Sequence, residues 1–186
     1  MRLDKLTIKA QEAVSEAMDL ASQHGNPEIT PSHLLAAIVG QKQGAVASIL
    51  QRIGVAPEQV AAVVSQKIEA LPRASGSAQA GLGSTAQKAL EEGWKVARGL
   101  KDEYLSTEHI FLGILTLSSD PAGQILSQAG VSKDAVLSAL REVRGSQRVT
   151  DPNAEDQYDA LAKYTRDLTQ LARAGKLDPV IGRDEE

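Results

Sequence analysis

Residues 10–21 read AQEAVSEAMDLA, and residues 86–97 read AQKALEEGWKVA. These two stretches open a longer, gap-free match in which residues 10–68 align with residues 86–144 at an offset of 76 positions. Twelve of the 59 aligned positions are identical, and several others exchange one aliphatic residue for another. Self-similarity at a fixed offset is the signature of a duplicated structural unit.

Each copy has the pattern of four helices. In the first copy, apolar residues recur at helical spacing over residues 7–24. Thr30 followed by Pro31 predicts the start of the second helix, because threonine favours the N-cap and proline the first helical position. A third helix is predicted for residues 45–53, and a fourth begins after Ala56.

We therefore expect an all-α fold made of a duplicated four-helix repeat, whose two bundles pack as a pseudo-twofold pair. Repeat one spans residues 7–72 and repeat two spans residues 83–145, within a domain of residues 1–145. The polar, unpatterned residues 146–156 predict a flexible linker. A last helix is predicted for about residues 157–174, with an apolar stripe that has no evident partner in the sequence.

Composition excludes several classes of function. Hydrophobic residues make up 42% of the chain and aromatics only 3%, so the core must be aliphatic. The net charge of −4 and the absence of a basic cluster disfavour nucleic-acid binding. No cysteine is present, and no apolar run suggests a signal peptide or a membrane span. We expect a cytoplasmic protein.

The tail, residues 158–186, reads YDALAKYTRDLTQLARAGKLDPVIGRDEE. It resembles the start of the first AAA+ module in the Clp unfoldases, where a helix leads into the LDPVIGR sequence found here at residues 177–183. The duplicated helices match the Clp amino-terminal domain, and the opening MRLDKLTIKAQEAV is similar to that of ClpB-type disaggregases. The resemblance covers essentially the whole chain.

This resemblance implies a hexameric ATPase, using ATP and Mg, that threads aggregated polypeptide through a central pore together with the DnaK chaperone system. The amino-terminal domain would capture unfolded or aggregated polypeptides at the pore. No GxxxxGK[ST] phosphate-binding pattern occurs in the sequence, so the chain itself is expected to bind no cofactor and to have no catalytic residues. Hexamer contacts and the DnaK-docking region would lie in missing modules, which predicts a monomer.

The resemblance also implies polar substrate-binding residues at Thr7, Asp102 and Glu108. A hydroxyl and two carboxylates bordering a surface would suit the backbone or basic groups of an unfolded segment. A structural role is equally compatible with the sequence. Thr7 fits a helix N-cap, Asp102 an inter-helix turn, and Glu108 a first helical turn where a carboxylate complements the helix dipole.

Capture of apolar segments requires an exposed aliphatic groove. In the second repeat, Leu90, Trp94 and Ile110 are the candidates, although a residue on such a stripe is more often part of the core. Docking of a folded adaptor and gating of the pore are the alternative functions.

His33 and His109 occupy equivalent positions in the two repeats and raise the question of a metal site. Each lies three residues after a predicted N-cap, next to an apolar run, and no cysteine or HxxxH spacing accompanies it. We expect packed, hydrogen-bonded imidazoles and no metal.

Overall fold

The computed structural model describes residues 3–74 and 79–158. Repeat one contains α1 (Ile8–Gln23), β1 (Glu28–Ile29), α2 (Pro31–Gly40), α3 (Ala45–Ile53) and α4 (Pro57–Glu69). Repeat two contains β2 (Gly81–Leu82), α5 (Ser84–Gly99), α6 (Thr107–Leu115), α7 (Pro121–Gln128) and α8 (Lys133–Arg144). The apolar stripe predicted beyond residue 158 and the LDPVIGR sequence lie outside the described residues.

The helices start and stop where local chemistry requires it. The Thr7 side chain accepts a hydrogen bond from the Ala10 amide and so caps α1. Gly54, with φ of 88°, ends α3 in the left-handed conformation that glycine adopts without steric cost. The prediction of an all-α fold with four helices in each repeat is confirmed.

A pseudo-twofold exchange joins the two repeats. Leu6 pairs in parallel with Leu105, and β1 pairs in parallel with β2, so that Ile29 lies beside Leu82. The repeat offset that relates Leu6 to Leu82 also relates Ile29 to Leu105. In each case, the segment that precedes the first helix of one repeat pairs with the segment between the first and second helices of the other.

Helix packing follows the same symmetry. Helix α3 packs on α8, and its counterpart α7 packs on α4, while α2 and α6 meet near the axis. The largest helix interface lies within repeat two, between α5 and α6. Gly93 and Gly113 lie in this interface, where an added Cβ would clash with the backbone of the facing helix. These two helices therefore approach more closely than side chains would otherwise allow.

Residues 146–158, here called the returning segment, differ from the predicted linker. Val149, Ala154 and Tyr158 are buried, and residues 154–158 form a helical turn. The Ile8 amide donates to the carbonyl of Pro152 at 2.9 Å. A polar composition predicted solvation, but three apolar anchors and backbone hydrogen bonds instead hold the segment against repeat two and the start of α1.

Candidate functional site

A surface groove of about 690 Å³ runs along one face of α5. Its lining includes Gln87, Leu90, Glu91, Trp94 and Arg98. Counted from Gln87 these residues follow at i+3, i+4, i+7 and i+11, so they share a helix face. The floor is apolar: Leu90 is 2% exposed, and Leu82 and Trp94 are partly buried against the core.

Charged side chains of both signs surround this apolar floor. Lys5 and Arg98 supply cations, and Glu91 and Glu103 supply carboxylates. The Lys5 ammonium lies 4.9 Å from the centroid of the Tyr104 ring, within the range of a cation–π interaction. The groove thus combines an apolar strip with a rim that can pair with either charge.

A buried network lies behind the groove and is centred on Asp102. One carboxylate oxygen accepts hydrogen bonds from Arg144 and from the Val149 amide, and the other from His109 Nε2 at 2.9 Å. Burial by itself would raise the pKa of Asp102, but the hydrogen bonds from His109, Arg144 and Val149 lower the pKa to about 2. Asp102 is therefore ionised and fully paired.

The His109 ring is fixed by its two partners. Its Nδ1 accepts from the Ser106 amide at 3.0 Å, so the ring proton lies on Nε2 and is donated to Asp102. Burial lowers the pKa of His109 and keeps the ring neutral. The imidazole takes the place that glutamate or glutamine has in a standard capping box.

Repeat one contains the uncharged counterpart of this arrangement. His33 Nδ1 accepts from the Thr30 amide, and Nε2 donates to Asn26 Oδ1, each at 3.0 Å. Burial, followed by repulsion from His24, lowers the pKa of His33 to about 4. The two histidines thus bond to the starts of equivalent helices. The side-chain amide of Asn26 in turn donates a hydrogen bond to the carbonyl of Pro72 at 3.0 Å.

A second carboxylate, Glu155 of the returning segment, lies between the starts of α1 and α6. The Thr7 hydroxyl donates to it at 2.5 Å, the Thr107 hydroxyl at 2.6 Å and the Thr107 amide at 2.7 Å. Glu155 is 4% exposed, so these three donors replace its hydration. No equivalent cradle is possible in the other half, because Gly83 and Pro31 occupy the positions of Thr7 and Thr107.

Glu108 lies in the same region, but its carboxyl group, unlike that of Glu155, is not surrounded by hydrogen-bond donors in the described part of the chain. It is fully buried, and among the described residues neither of its carboxyl oxygens has a hydrogen-bond partner. Burial, together with the nearby Glu155 carboxylate, raises the pKa of Glu108 to about 8. The side chain is therefore protonated at neutral pH, and its ionisation would place two carboxylates side by side.

This arrangement predicts a loss of stability at alkaline pH. The pKa of Glu108 is higher in the folded state than its ordinary value of 4.5, so its contribution to folding is complete below that value and is lost as pH rises towards 8. The buried histidines have lowered pKa values and oppose this trend only below pH 6.5. Between pH 6.5 and 8, urea denaturation should show a decrease of about 2 kcal/mol in the free energy of unfolding.

The Glu108→Gln variant is the control for this measurement. It keeps the shape of the neutral side chain and removes the ionisable group, so its free energy of unfolding should stay level over the same pH interval. An equal decline in the wild-type protein and the variant would contradict the assignment to Glu108.

The structure brings the predicted polar residues together but buries them. Thr7, Asp102 and Glu108 are 0%, 7% and 0% exposed, and the returning segment contacts Thr7 through Glu155 and Asp102 through Val149. Thr7 and Asp102 thus have the structural roles that the sequence offered as the alternative, N-cap and turn acceptor. Glu108 lies in the first turn of α6, but its protonated carboxyl does not act there as an anion. A role of the three residues in substrate binding stays a prediction.

The predicted apolar residues separate into two groups. Trp94 is partly exposed and lines the groove, and Leu90 forms part of its floor. Ile110 is 0% exposed and belongs to the core rather than to the groove lining.

Sequence reasoning missed Arg144 and Glu155, which complete the buried network. Both lie outside the patterns that mark a site: Arg144 ends a helix, and Glu155 lies in a stretch that was assigned to the linker. The sequence did carry one signal: in the alignment of the two repeats, Arg144 corresponds to Ile68 and Asp102 to Asn26. Opposite charges that replace uncharged residues at both positions are compatible with an ion pair, but the alignment alone does not bring the two residues together.

Residues 3–74 and 79–158 contain neither a cluster suited to a metal ion nor a helix suited to spanning a membrane. No group of three or more histidine, aspartate or glutamate residues is placed to hold a metal ion in this part of the chain. Within the same ranges, no helix is long and apolar enough to cross a membrane.

Comparison with known proteins places the chain in a family. The family described as the Clp repeat (R) N-terminal domain matches residues 5–129. The chain therefore belongs to the Clp repeat N-terminal domains, in agreement with the resemblance carried by its sequence.

Among proteins of that family, the chain is most informatively compared with ClpB chaperones. It is 48% identical to the chaperone protein ClpB of Rhodopirellula baltica over 185 residues, which is 100% of this chain and 21% of that protein. It is 46% identical to ClpB of Mycobacterium bovis over 181 residues, which is 97% of this chain and again 21% of the relative. The chain thus spans about a fifth of the length of these relatives.

Solved structures share the fold. The Hsp104 N-terminal domain from Candida albicans matches with a TM-score of 0.71 and 25% identity, covering 81% of this chain and 99% of that one. A complex of the ClpV N-domain with VipB peptide matches with a TM-score of 0.53 and 22% identity, covering 86% of this chain and 88% of that one.

Proposed function

We propose that this chain is the substrate-engaging amino-terminal region of a ClpB-type disaggregase, and that it weakly binds exposed apolar segments of unfolded or aggregated proteins. The groove along α5 carries this proposal. Leu82, Leu90 and Trp94 provide an apolar strip that an extended segment can cover. The bound segment would then pass to the pore of a hexamer, where the ATP- and Mg-dependent work is done by modules beyond this domain.

The mixed charge of the groove rim supports recognition of many different sequences. Lys5 and Arg98 can pair with acidic clients, and Glu91 and Glu103 with basic ones, while the apolar floor sets the affinity. A domain that must release its client to a pore requires only weak binding, with a Kd of about 10 μM to 1 mM. Several copies in a hexamer would raise the effective concentration of sites.

The Trp94→Ala variant tests the groove. Trp94 is the only tryptophan in the sequence, so its fluorescence also reports on binding in the wild-type chain. Removing a large aromatic contact from the centre of a site should weaken binding of a reduced, permanently unfolded polypeptide by about tenfold or more. Binding of the variant can be followed by fluorescence anisotropy of the labelled client.

Val63→Ala is the matched control, because Val63 is 48% exposed on α4 and does not line this groove. The control should bind the client as the wild type does. Equal loss in both variants would indicate nonspecific adhesion to apolar surface, and unchanged affinity in Trp94→Ala would remove the groove from the proposal.

Docking of an adaptor is the second candidate. It is favoured by the shared fold with the ClpV N-domain, which has been solved in complex with VipB peptide. An adaptor would be retained from native lysate, whereas an unfolded client would be retained only after heat treatment of that lysate. If the domain retains a protein from native lysate and Trp94→Ala abolishes this retention, the adaptor role is favoured. If proteins are retained only from heated lysate, client binding is favoured.

A further inference from the structure

One carboxylate of the returning segment bonds to two parts of the domain at once. Three donors from Thr7 and Thr107 converge on Glu155, and they come from the starts of two different helices. Because the equivalent positions in the other half are Gly83 and Pro31, the cradle is specific to this side of the domain.

Among the described residues, polar groups at the contact between the returning segment and the domain lack hydrogen-bond partners. Within residues 3–74 and 79–158, neither the Glu108 carboxyl nor the Tyr158 hydroxyl finds a hydrogen bond. Buried polar groups without partners cost free energy that water would restore if the segment lifted away. The contact therefore combines strong hydrogen bonds to Glu155 with buried polar groups that lack partners and cost free energy. This combination is expected of a segment that can both dock and detach.

We propose that the returning segment is a detachable strap latched by the Glu155 carboxylate, and that its docking closes Thr7, Asp102 and Glu108 to any partner. The hydrogen bonds to Glu155 hold the strap without any bound client, so this part of the proposal does not depend on client binding. Access of a client to the three covered residues rests, in addition, on the proposed function.

The charges around Glu108 give the strap a dependence on pH. Glu155 and Tyr158 approach it from the strap, and Arg144 from α8. Ionisation of Glu108 places its charge beside Glu155, which Arg144 offsets only in part because Asp102 already pairs with that guanidinium. Rising pH therefore favours detachment.

Three backbone amides report directly on the strap. The amides of Ile8 and Thr107 are the first in their helices and have no intrahelical acceptor. They donate instead to the Pro152 carbonyl and to the Glu155 carboxylate, and the Glu103 amide donates to the carbonyl of Val149. Their protection from hydrogen exchange depends on the docked segment.

Residue-resolved hydrogen exchange of the intact chain, without any client, tests the latch. In Glu155→Ala, the amides of Ile8, Glu103 and Thr107 should exchange about 10- to 100-fold faster, while amides of α4 keep wild-type rates. Asp156→Ala removes an exposed carboxylate from the same helical turn and should leave all rates unchanged. Thr107→Val removes one of the three donors and should give a smaller acceleration.

Two results would overturn the strap. Unchanged exchange at the three reporter amides in Glu155→Ala would show that the carboxylate is not a latch. Equal acceleration throughout the domain, α4 included, would show that the segment is an inseparable part of the core.

The Glu108→Gln variant is expected to slow hydrogen exchange of the reporter amides, whereas Glu155→Ala accelerates it. At pH 9 its reporter amides should exchange at least about fivefold more slowly than those of the wild type, because the repulsion with Glu155 is gone. Identical pH dependence in both proteins would overturn the role of Glu108. Since no client is present, a failure of client binding would leave these results standing and would count only against the proposed function.

Discussion

Replacing Asp102 by asparagine is expected to lower the free energy of unfolding by about 3 kcal/mol or more. The substitution changes a single atom of the side chain but leaves the Arg144 guanidinium, 6% exposed, without its buried counter-ion. Replacing both partners of a buried ion pair by apolar residues often costs little free energy. Removing only one partner costs much more, because the remaining charge stays buried away from water. Urea denaturation at pH 7 measures the change.

The duplication supplies the control for this prediction. Asn26 and Ile68 occupy the positions equivalent to Asp102 and Arg144, so the double variant Asp102→Asn with Arg144→Ile copies the uncharged pair of repeat one. It should recover at least about half of the loss, since no charge remains buried and unpaired. A double variant as unstable as the single one would contradict the assignment of the cost to the orphaned guanidinium.

Gly113→Ala is expected to destabilise the domain by about 3 kcal/mol or more, near the upper end of what overpacking costs. A Cβ at this position would overlap the backbone carbonyl of Ala89 and lie 2.7 Å from the Gly93 amide nitrogen. Backbone atoms of α5 cannot move aside as a side chain would, so the two helices must separate. Thermal unfolding should show a midpoint lower by roughly 6–12 °C.

Gly99→Ala is the matched control at the end of α5. An added methyl group at Gly99 meets nothing within 4 Å among the described residues, and alanine has a higher helix propensity than glycine. This variant should be as stable as the wild type or more stable by up to about 1 kcal/mol. Equal destabilisation in both variants would show that loss of a glycine, rather than helix contact, is responsible.

Much of the fold could be predicted from local patterns in the sequence. Thr30 with Pro31, Ala56 before Pro57, and Gly54 mark helix ends by backbone chemistry that acts within a few residues, and the helices begin and end there. The duplication predicted the pairing of repeats because equal sequences form equal units whose apolar faces must cover each other.

The candidate site was only partly predictable. Trp94 and Leu90 line the groove, as a stripe on α5 suggested, but Ile110 on α6 lies in the core. The periodicity of a helix shows that one face is apolar, yet it does not show whether another helix covers that face. Helix α6 packs against α2, α3, α5 and α7, and Ile110 is 0% exposed.

The sequence by itself determined the helical class, the two repeats and their caps, because each of these depends on neighbouring residues or on comparison of the chain with itself. It also indicated the family, through its resemblance to known sequences. Only the tertiary structure decided that Asp102 meets Arg144, and that Glu155 lies between Thr7 and Thr107. The residues of these contacts are 42, 148 and 48 positions apart in the chain. Such contacts depend on the packing of whole helices in space, which no local pattern encodes.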